Sequence, residues 1–274
     1  MSLYPPKILC KHSGFRLGSF TFPQFILGIT LVFAVLSHAY AQAPTLGDSG
    51  PLTVTQVVDR MIAANTARAL ALESYHGTRT YTLNYKGFPA DLHAQMIVNM
   101  TYTAPNTKNF VVVSRTGPKW IQDQVMSRLL KTEKDAQQGK NRKNVDLNTE
   151  NYNFSNLEYQ PAADHCSYKL SVAPKNPSKY LYRGNIWIND REFAVCRIEV
   201  QPARNPSFWI KSTTISHSYE KIGDFWLPKR NESSSAMRFG GHAALTIQYQ
   251  DYKIIAAKAI VNRSSSLASN RSVH

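Results

Sequence analysis

Enzyme chemistry requires side chains of complementary type held close together, and this sequence offers few such combinations. The histidines His76, His93, His165, His217 and His242 lie far apart, and none is paired at a spacing that would aim two imidazoles at one metal ion. Ser216-His217-Ser218 places hydroxyls beside an imidazole. Neighbours in a strand point to opposite faces, however, so this is not a nucleophile and its base. Asp164-His165 is the best remaining fragment of a hydrolytic site. Asp190, Glu192 and Asp224 stand in turn-forming sequence, where a carboxylate ordinarily bonds its own backbone. There is no Gly-x-Ser-x-Gly, no phosphate loop and no dinucleotide fingerprint. The residues therefore argue for a protein that is not an enzyme and holds neither cofactor nor metal.

The cysteines carry the remaining reactive chemistry, and their fate depends on the compartment. A basic start (Lys7, Lys11, Arg16) leads into an apolar run from Phe20 to Leu36, and Ala39-Tyr40-Ala41 supplies a small-x-small cleavage site. Residues 1–41 thus read as a signal peptide cut after Ala41, with an uncleaved anchor as the rival; Pro23 and Gln24 interrupting the run favour cleavage. Export to the periplasm permits oxidation of Cys166 and Cys196. If the runs 166–172, 180–188 and 193–200 form a simple meander, the two thiols are two strands apart, about 10 Å, too far for a bridge. The expectation is two buried free thiols.

Charge sets the class of partner. The chain carries +14, and the three lysines and arginines before Ala41, where no acidic residue lies, leave +11 for the mature protein. A positive surface suits anionic lipid or acidic polypeptide, or merely aids solubility. Nucleic acid is not expected, since export removes the target and no nucleic-acid-binding motif is present.

Behind these residues stands a series of strands. Tyr180–Ile188, Phe193–Gln201 and Phe208–Glu220, with a fourth beginning at Phe225–Leu227, are rich in aromatic and β-branched residues and separated by turn sequences, which predicts an antiparallel meander. Trp187, Trp209 and Trp226 fall within it, so the sheet is expected to need a deep apolar partner on one side. Upstream, Thr53 with Gln56 three residues on forms a capping box before a helix striped by Val54, Val57, Val58, Met61 and Ile62, ending at Ser74–Gly77. Arg79–Tyr85 is a strand with Tyr81 and Leu83 on one face. Leu92–Thr103 alternates strictly, with Ala94, Met96, Val98 and Met100 on one side, and Asn109–Ser114 follows as a third strand.

Gly117-Pro118-Lys119-Trp120 opens a second helix whose apolar side is Ile121, Val125, Met126, Leu129 and Leu130. Residues 131–143 are charged and read as a solvated end. Such a helix is either a lid over a concave sheet or an ordinary core helix; periodicity leaves both open. Asn148–Phe154 reads as a connector, Leu157–Gln160 as a short strand, Ser233–Ala236 as a flexible turn and Ala244–Ile255 as the last strand. Residues 42–256 make one domain, and 257–274 are expected to form a disordered basic tail.

The order of signal peptide, helix, three strands, interrupting helix and meander, with Tyr-Arg-Gly-Asn-Ile-Trp-Ile-Asn-Asp at 182–190, Pro-Ser-Phe-Trp-Ile at 206–210 and Gly-Asp-Phe-Trp-Leu-Pro at 223–228, resembles the outer-membrane lipoprotein-sorting proteins of the LolA-like superfamily, which includes LolB and RseB. The resemblance implies an α+β fold, a curved antiparallel sheet forming an unclosed half β-barrel with helices plugging the concave face. It also implies a monomeric periplasmic carrier for acyl chains of lipoproteins or other lipids, working with membrane-bound release and acceptor proteins. An RseB-like sensor that binds a protein partner is the alternative, and a hydrolase of envelope lipid or glycan the second. On this reading Tyr81, Leu83, Met96, Val98, Met100, Tyr168 and Leu170 line the cavity from the sheet, and Trp120, Val125 and Leu129 from the lid. The family's lid is held by an arginine, for which Arg79 is the candidate by order.

Overall fold

The computed structural model describes residues 51–105, 107–136, 146–178, 180–205, 208, 210–238 and 240–259. The expected signal peptide, most of the lead-in after it, positions 137–143 of the charged stretch, the tail from 260 and the motif residues Pro206, Ser207 and Trp209 lie outside the described residues.

Helix α1 (Val54–Ala71) begins where its capping box requires. The Thr53 hydroxyl accepts from the Gln56 N–H, and the Gln56 side chain accepts from the Thr53 N–H at 2.8 Å. Ser74–Gly77 do not form the expected break. Strand β1 (Leu72–Lys86) starts directly at the helix end, because Tyr75 and Gly77 already pair with Tyr102 and Met100 of the next strand. Gly77 has a packing reason to be there, since a Cβ would stand 3.1 Å from the Tyr252 ring that crosses it.

Nine further strands follow: β2 (Leu92–Thr103), β3 (Thr107–Thr116), β4 (Tyr152–Tyr159), β5 (Tyr168–Pro174), β6 (Tyr182–Ile188), β7 (Val195–Pro202), β8 (Ile210–Ile222), β9 (Phe225–Met237) and β10 (His242–Ala257). They form one antiparallel sheet in the order β3-β2-β1-β10-β9-β8-β7-β6-β5-β4. Each neighbour follows in sequence except β1 and β10, whose long pairing joins the two ends of the chain. The edges β3 and β4 stay apart, so the sheet is an unclosed half-barrel.

Three further expectations need correction. Ser233–Ala236 are not a turn but the inner part of β9, paired with both β8 and β10; serine and alanine suggested a loop, yet their neighbours on both sides satisfy the backbone. Trp187 and Trp226 do not face the core. They alternate with the buried Ile186, Ile188, Phe225 and Leu227, and thus stand on the opposite face, where the Arg197 guanidinium lies 4.6 Å from the Trp187 ring centre and Trp226 donates to Glu192 at 2.9 Å.

The third correction concerns the cysteines, which are joined as a disulfide with Cα atoms 6.2 Å apart. The meander is sequential as expected, but Cys166 precedes β5, in a turn that folds over the end of β6, where His165 O accepts from the Asp190 N–H at 2.8 Å. Cys196 is the extra residue of a bulge, since Trp187 faces Arg197 while Ile188 faces Val195. Turn and bulge together close the two-strand gap that a regular ladder would leave.

Candidate functional site

The register defines one continuous face. Met96, Tyr81, Ile247, Asn231, His217, Ile198, Ile186 and Leu170 stand in a single cross-strand row from β2 to β5, and every one is buried. At the β2 end, Tyr81, Ala94, Met96, Val98, Leu245, Ile247 and Tyr249 pack with Ile121 and Met126 of a covering helix into one apolar cluster.

That covering helix runs over 119–136 in three pieces: a short α-turn α2 (Lys119–Ile121), a π-helical turn (Gln122–Met126) and helix α3 (Ser127–Ala136). Gly117 makes its entry possible: at φ +96° a Cβ there would stand 2.8 Å from Ala94 Cα. At the near end the buried Gln122 amide donates to Gln95 O at 3.1 Å and to Thr116 O, tying the helix to the backbones of β2 and β3. The π-turn admits an extra residue, and the Ser127 hydroxyl donates to Gln122 O at 2.9 Å.

The far end is fixed by charge. Glu133 accepts from Arg79 on β1 at 2.7 Å and from Lys108 on β3 at 2.9 Å, with all three residues buried. Arg79 sits between aromatic rings, 4.9 Å from Tyr249 and 5.4 Å from Phe110, and donates to the Tyr81 hydroxyl at 3.3 Å. Burial alone would lower the Arg79 pKa, but the surrounding tyrosines outweigh it and hold the guanidinium above its ordinary value. Burial pushes the Glu133 carboxyl upward. Arg79 and Lys108 oppose that push at contact distance.

The ten residues named from the sequence are distributed as follows. Tyr81, Leu83, Met96, Val98, Val125 and Leu129 belong to the cluster beneath the helix. Met100 shares their face but packs in an adjoining cluster with Ala71, Tyr75, Tyr102, Phe225 and Leu227. Leu170 is fully buried at the far end of the row. Tyr168 is only partly buried, against the rings of Tyr159 and Phe193 at 5.0 and 6.1 Å. Trp120 is 56% exposed and does not face the sheet. Arg79, the candidate by order alone, pairs with Glu133 of the covering helix. Sequence reasoning missed Glu133 by assigning 131–143 to solvent, although the stripe Gln122, Met126, Leu129 extends by four to Glu133.

Outside this cluster, Asp190 and Glu192 bond across elements rather than to their own backbone. Tyr159 donates to Asp190 at 3.3 Å, His165 Nδ1 lies 3.4 Å from Asp190, and Glu192 takes Lys221 at 2.5 Å. His217 stands on the buried face and Ser216 and Ser218 on the other, as alternation requires; burial lowers the His217 pKa to about 4.

An unclosed antiparallel sheet, covered on its buried face by helices that interrupt the strand order after β3, is the arrangement the resemblance implied. Solved structures similar to this chain include a LolA superfamily protein from Nitrosomonas europaea (12% identity, 74% of this chain and 94% of that one, TM-score 0.32). A DUF1329 family protein from Desulfovibrio piger is also similar (12%, 74% and 93%, 0.38). So is an outer membrane lipoprotein-sorting protein domain from Vibrio parahaemolyticus (10%, 73% and 93%, 0.34). A model described as a family of unknown function (DUF5686) matches residues 146–252, from before β4 into β10 and less than half of the chain. No curated protein matches the chain in sequence.

Proposed function

We propose that this protein is a periplasmic carrier that binds the acyl chains of lipoproteins or other lipids on the buried face of its half-barrel. Residues 42–256 form the binding domain, behind a signal peptide cut after Ala41, and the helix 119–136 is its movable cover. The observation that carries this reading is how the cover is attached. Over the apolar cluster at the β2 end of the face, where a permanent core helix would be held by apolar packing throughout, this helix is secured at one end by a buried ion triad, Arg79–Glu133–Lys108. A buried ion pair stabilises little relative to well-packed apolar side chains, but it separates cleanly once water reaches both partners. It suits a closure that must release.

On opening, Ile121, Val125, Met126 and Leu129 leave the sheet and uncover Tyr81, Leu83, Met96 and Val98. The unbranched methionines can repack around a hydrocarbon chain. Met100 continues the lining along the same face, and Leu170 lies at the far end of the row, with Tyr168 at its rim. Burying the roughly fifteen methylenes of a palmitoyl chain is worth about 12 kcal/mol at ~0.8 kcal/mol each, so such a chain does not cross water unaided. Membrane-bound donor and acceptor proteins would load and empty the site.

The test is a solvent extract of the protein purified from periplasm, analysed by mass spectrometry. Acyl lipids in stoichiometric amount are expected. An extract without lipid, from protein that also fails to bind added fatty-acyl probes, would end the carrier reading.

A further inference from the structure

The middle of the buried face is not apolar. Along the middle of β8 and β9 the inward positions are Thr213, Ile215 and His217 on one strand and Asn231, Ser233 and Ser235 on the other, with His217 directly opposite Asn231, Ile215 opposite Ser233, and Thr213 opposite Ser235. Apolar residues flank this patch on both sides: Ile198 and Val200 on β7, Leu245 and Ile247 on β10. The Thr213 and Ser235 hydroxyls satisfy each other at 2.9 Å. Asn231 does not fare so well. It is 1% exposed, and its Nδ2 is buried with no hydrogen-bond partner among the described residues.

An orphaned buried amide costs stability, and a leucine of nearly the same shape would not. The position thus holds a donor that the protein's own packing does not use. None of the six inward residues carries a formal charge, and burial keeps His217 neutral at neutral pH. The buried charged groups described above, Arg79, Lys108 and Glu133, are paired with one another elsewhere on the face. A phosphate would find no cation here, whereas a neutral acceptor would find an amide N–H, an imidazole and a hydroxyl on adjoining strands.

We propose that Asn231, His217 and Ser233 form a docking point for an uncharged hydrogen-bond acceptor on the ligand, an ester or amide carbonyl of its acyl chain. This rests on the carrier reading and sharpens it: the sheet recognises where a chain is attached as well as its hydrocarbon. The apolar flanks accept the methylenes on either side, and the central patch fixes the chain's register along the row.

The full-length mature protein, stripped of lipid, is titrated with methyl laurate isotope-labelled at the carbonyl, and with dodecane, which has no acceptor. Wild type is expected to bind the ester about tenfold more tightly than Asn231→Leu does, the difference one hydrogen bond makes. The carbonyl stretch of bound ester should lie at lower frequency in wild type than in the variant, and dodecane should bind both alike. His217→Phe serves as a second variant with the same expectation. Equal ester affinity and an unshifted carbonyl band in folded variants would overturn the docking point while leaving the carrier reading intact. Failure of wild type to bind either probe would overturn both.

Discussion

The two polar regions on the buried face handle burial in opposite ways. At the far end of the covering helix the polar groups are charged and make ion pairs between separate elements: Glu133 on the helix with Arg79 and Lys108 on the sheet. On β8 and β9 the groups are neutral, lie on adjoining strands, and include one donor without a partner. Charges between elements make a contact that can open, because separation exposes both sides to water together. Neutral groups fixed in one ladder cannot move apart, so an unmet donor there stays unmet until something else arrives. On the proposed reading, one region parts and the other receives.

Removing one side of the charged contact should have the largest effect. Glu133→Ala strands two buried cations and should lower unfolding stability by about 3–5 kcal/mol in urea titrations. Replacing all three members with apolar residues, Arg79→Met, Lys108→Met and Glu133→Leu, should restore most of that loss. It should also slow hydrogen exchange in 119–136, closing the cover more firmly. A triple variant as unstable as Glu133→Ala would mean that the triad is structural glue and would break the contrast.

The rest of the meander should be rigid. Reducing Cys166–Cys196, which closes a loop with a sequence separation of 30, should cost about 3–4 kcal/mol by loop entropy. Exchange protection in the covering helix should be unchanged, whereas loosening of 119–136 on reduction would join the two regions into one unit.

His217 supplies a pH signature for the receiving region. Its folded pKa of about 4 lies below the unfolded value of 6.5, so the unfolded chain takes up the proton first. Its contribution is complete above pH 6.5 and is lost as pH falls from 6.5 to 4, by about 3 kcal/mol in all. A His217→Gln variant should show a flatter stability profile across that window, measured by chemical unfolding at each pH. An identical slope would place the titration elsewhere.

The smallest effect has the opposite sign. Asn231→Leu should stabilise the lipid-free protein by about 1–2 kcal/mol, because it removes an unmet donor without leaving a void. Destabilisation would imply that the amide already has a partner in the empty protein.

Local rules were legible where neighbours in sequence decide the outcome. The capping box at Thr53 and Gln56 starts α1, and the alternation from Leu92 to Thr103 gives β2 with its bounds and its buried side. Signals failed where distant chain decides. Ser233–Ala236 read as a turn because serine has little strand preference, but β8 and β10 on either side make it a strand. The cysteines read as too far apart because a regular ladder was assumed, and a turn plus a bulge brought them together. Alternation placed Tyr81, Met96, Val98 and Met100 on the buried side of their strands. Trp120 was misplaced because a tryptophan at a helix start suggests burial, whereas the stripe that faces the sheet runs through Ile121 and Met126.

By itself the sequence determined a sheet-rich chain with one capped helix and one apolar-sided helix, since periodicity and capping depend only on residues a few positions apart. Only the tertiary structure decided which charges meet, Arg79 and Lys108 with Glu133, and that the Asn231 amide is buried without a hydrogen-bond partner among the described residues. Ion pairing and hydrogen-bond satisfaction depend on which strands and helices become neighbours, and the pairing of β1 with β10, which no local pattern encodes, sets those neighbours.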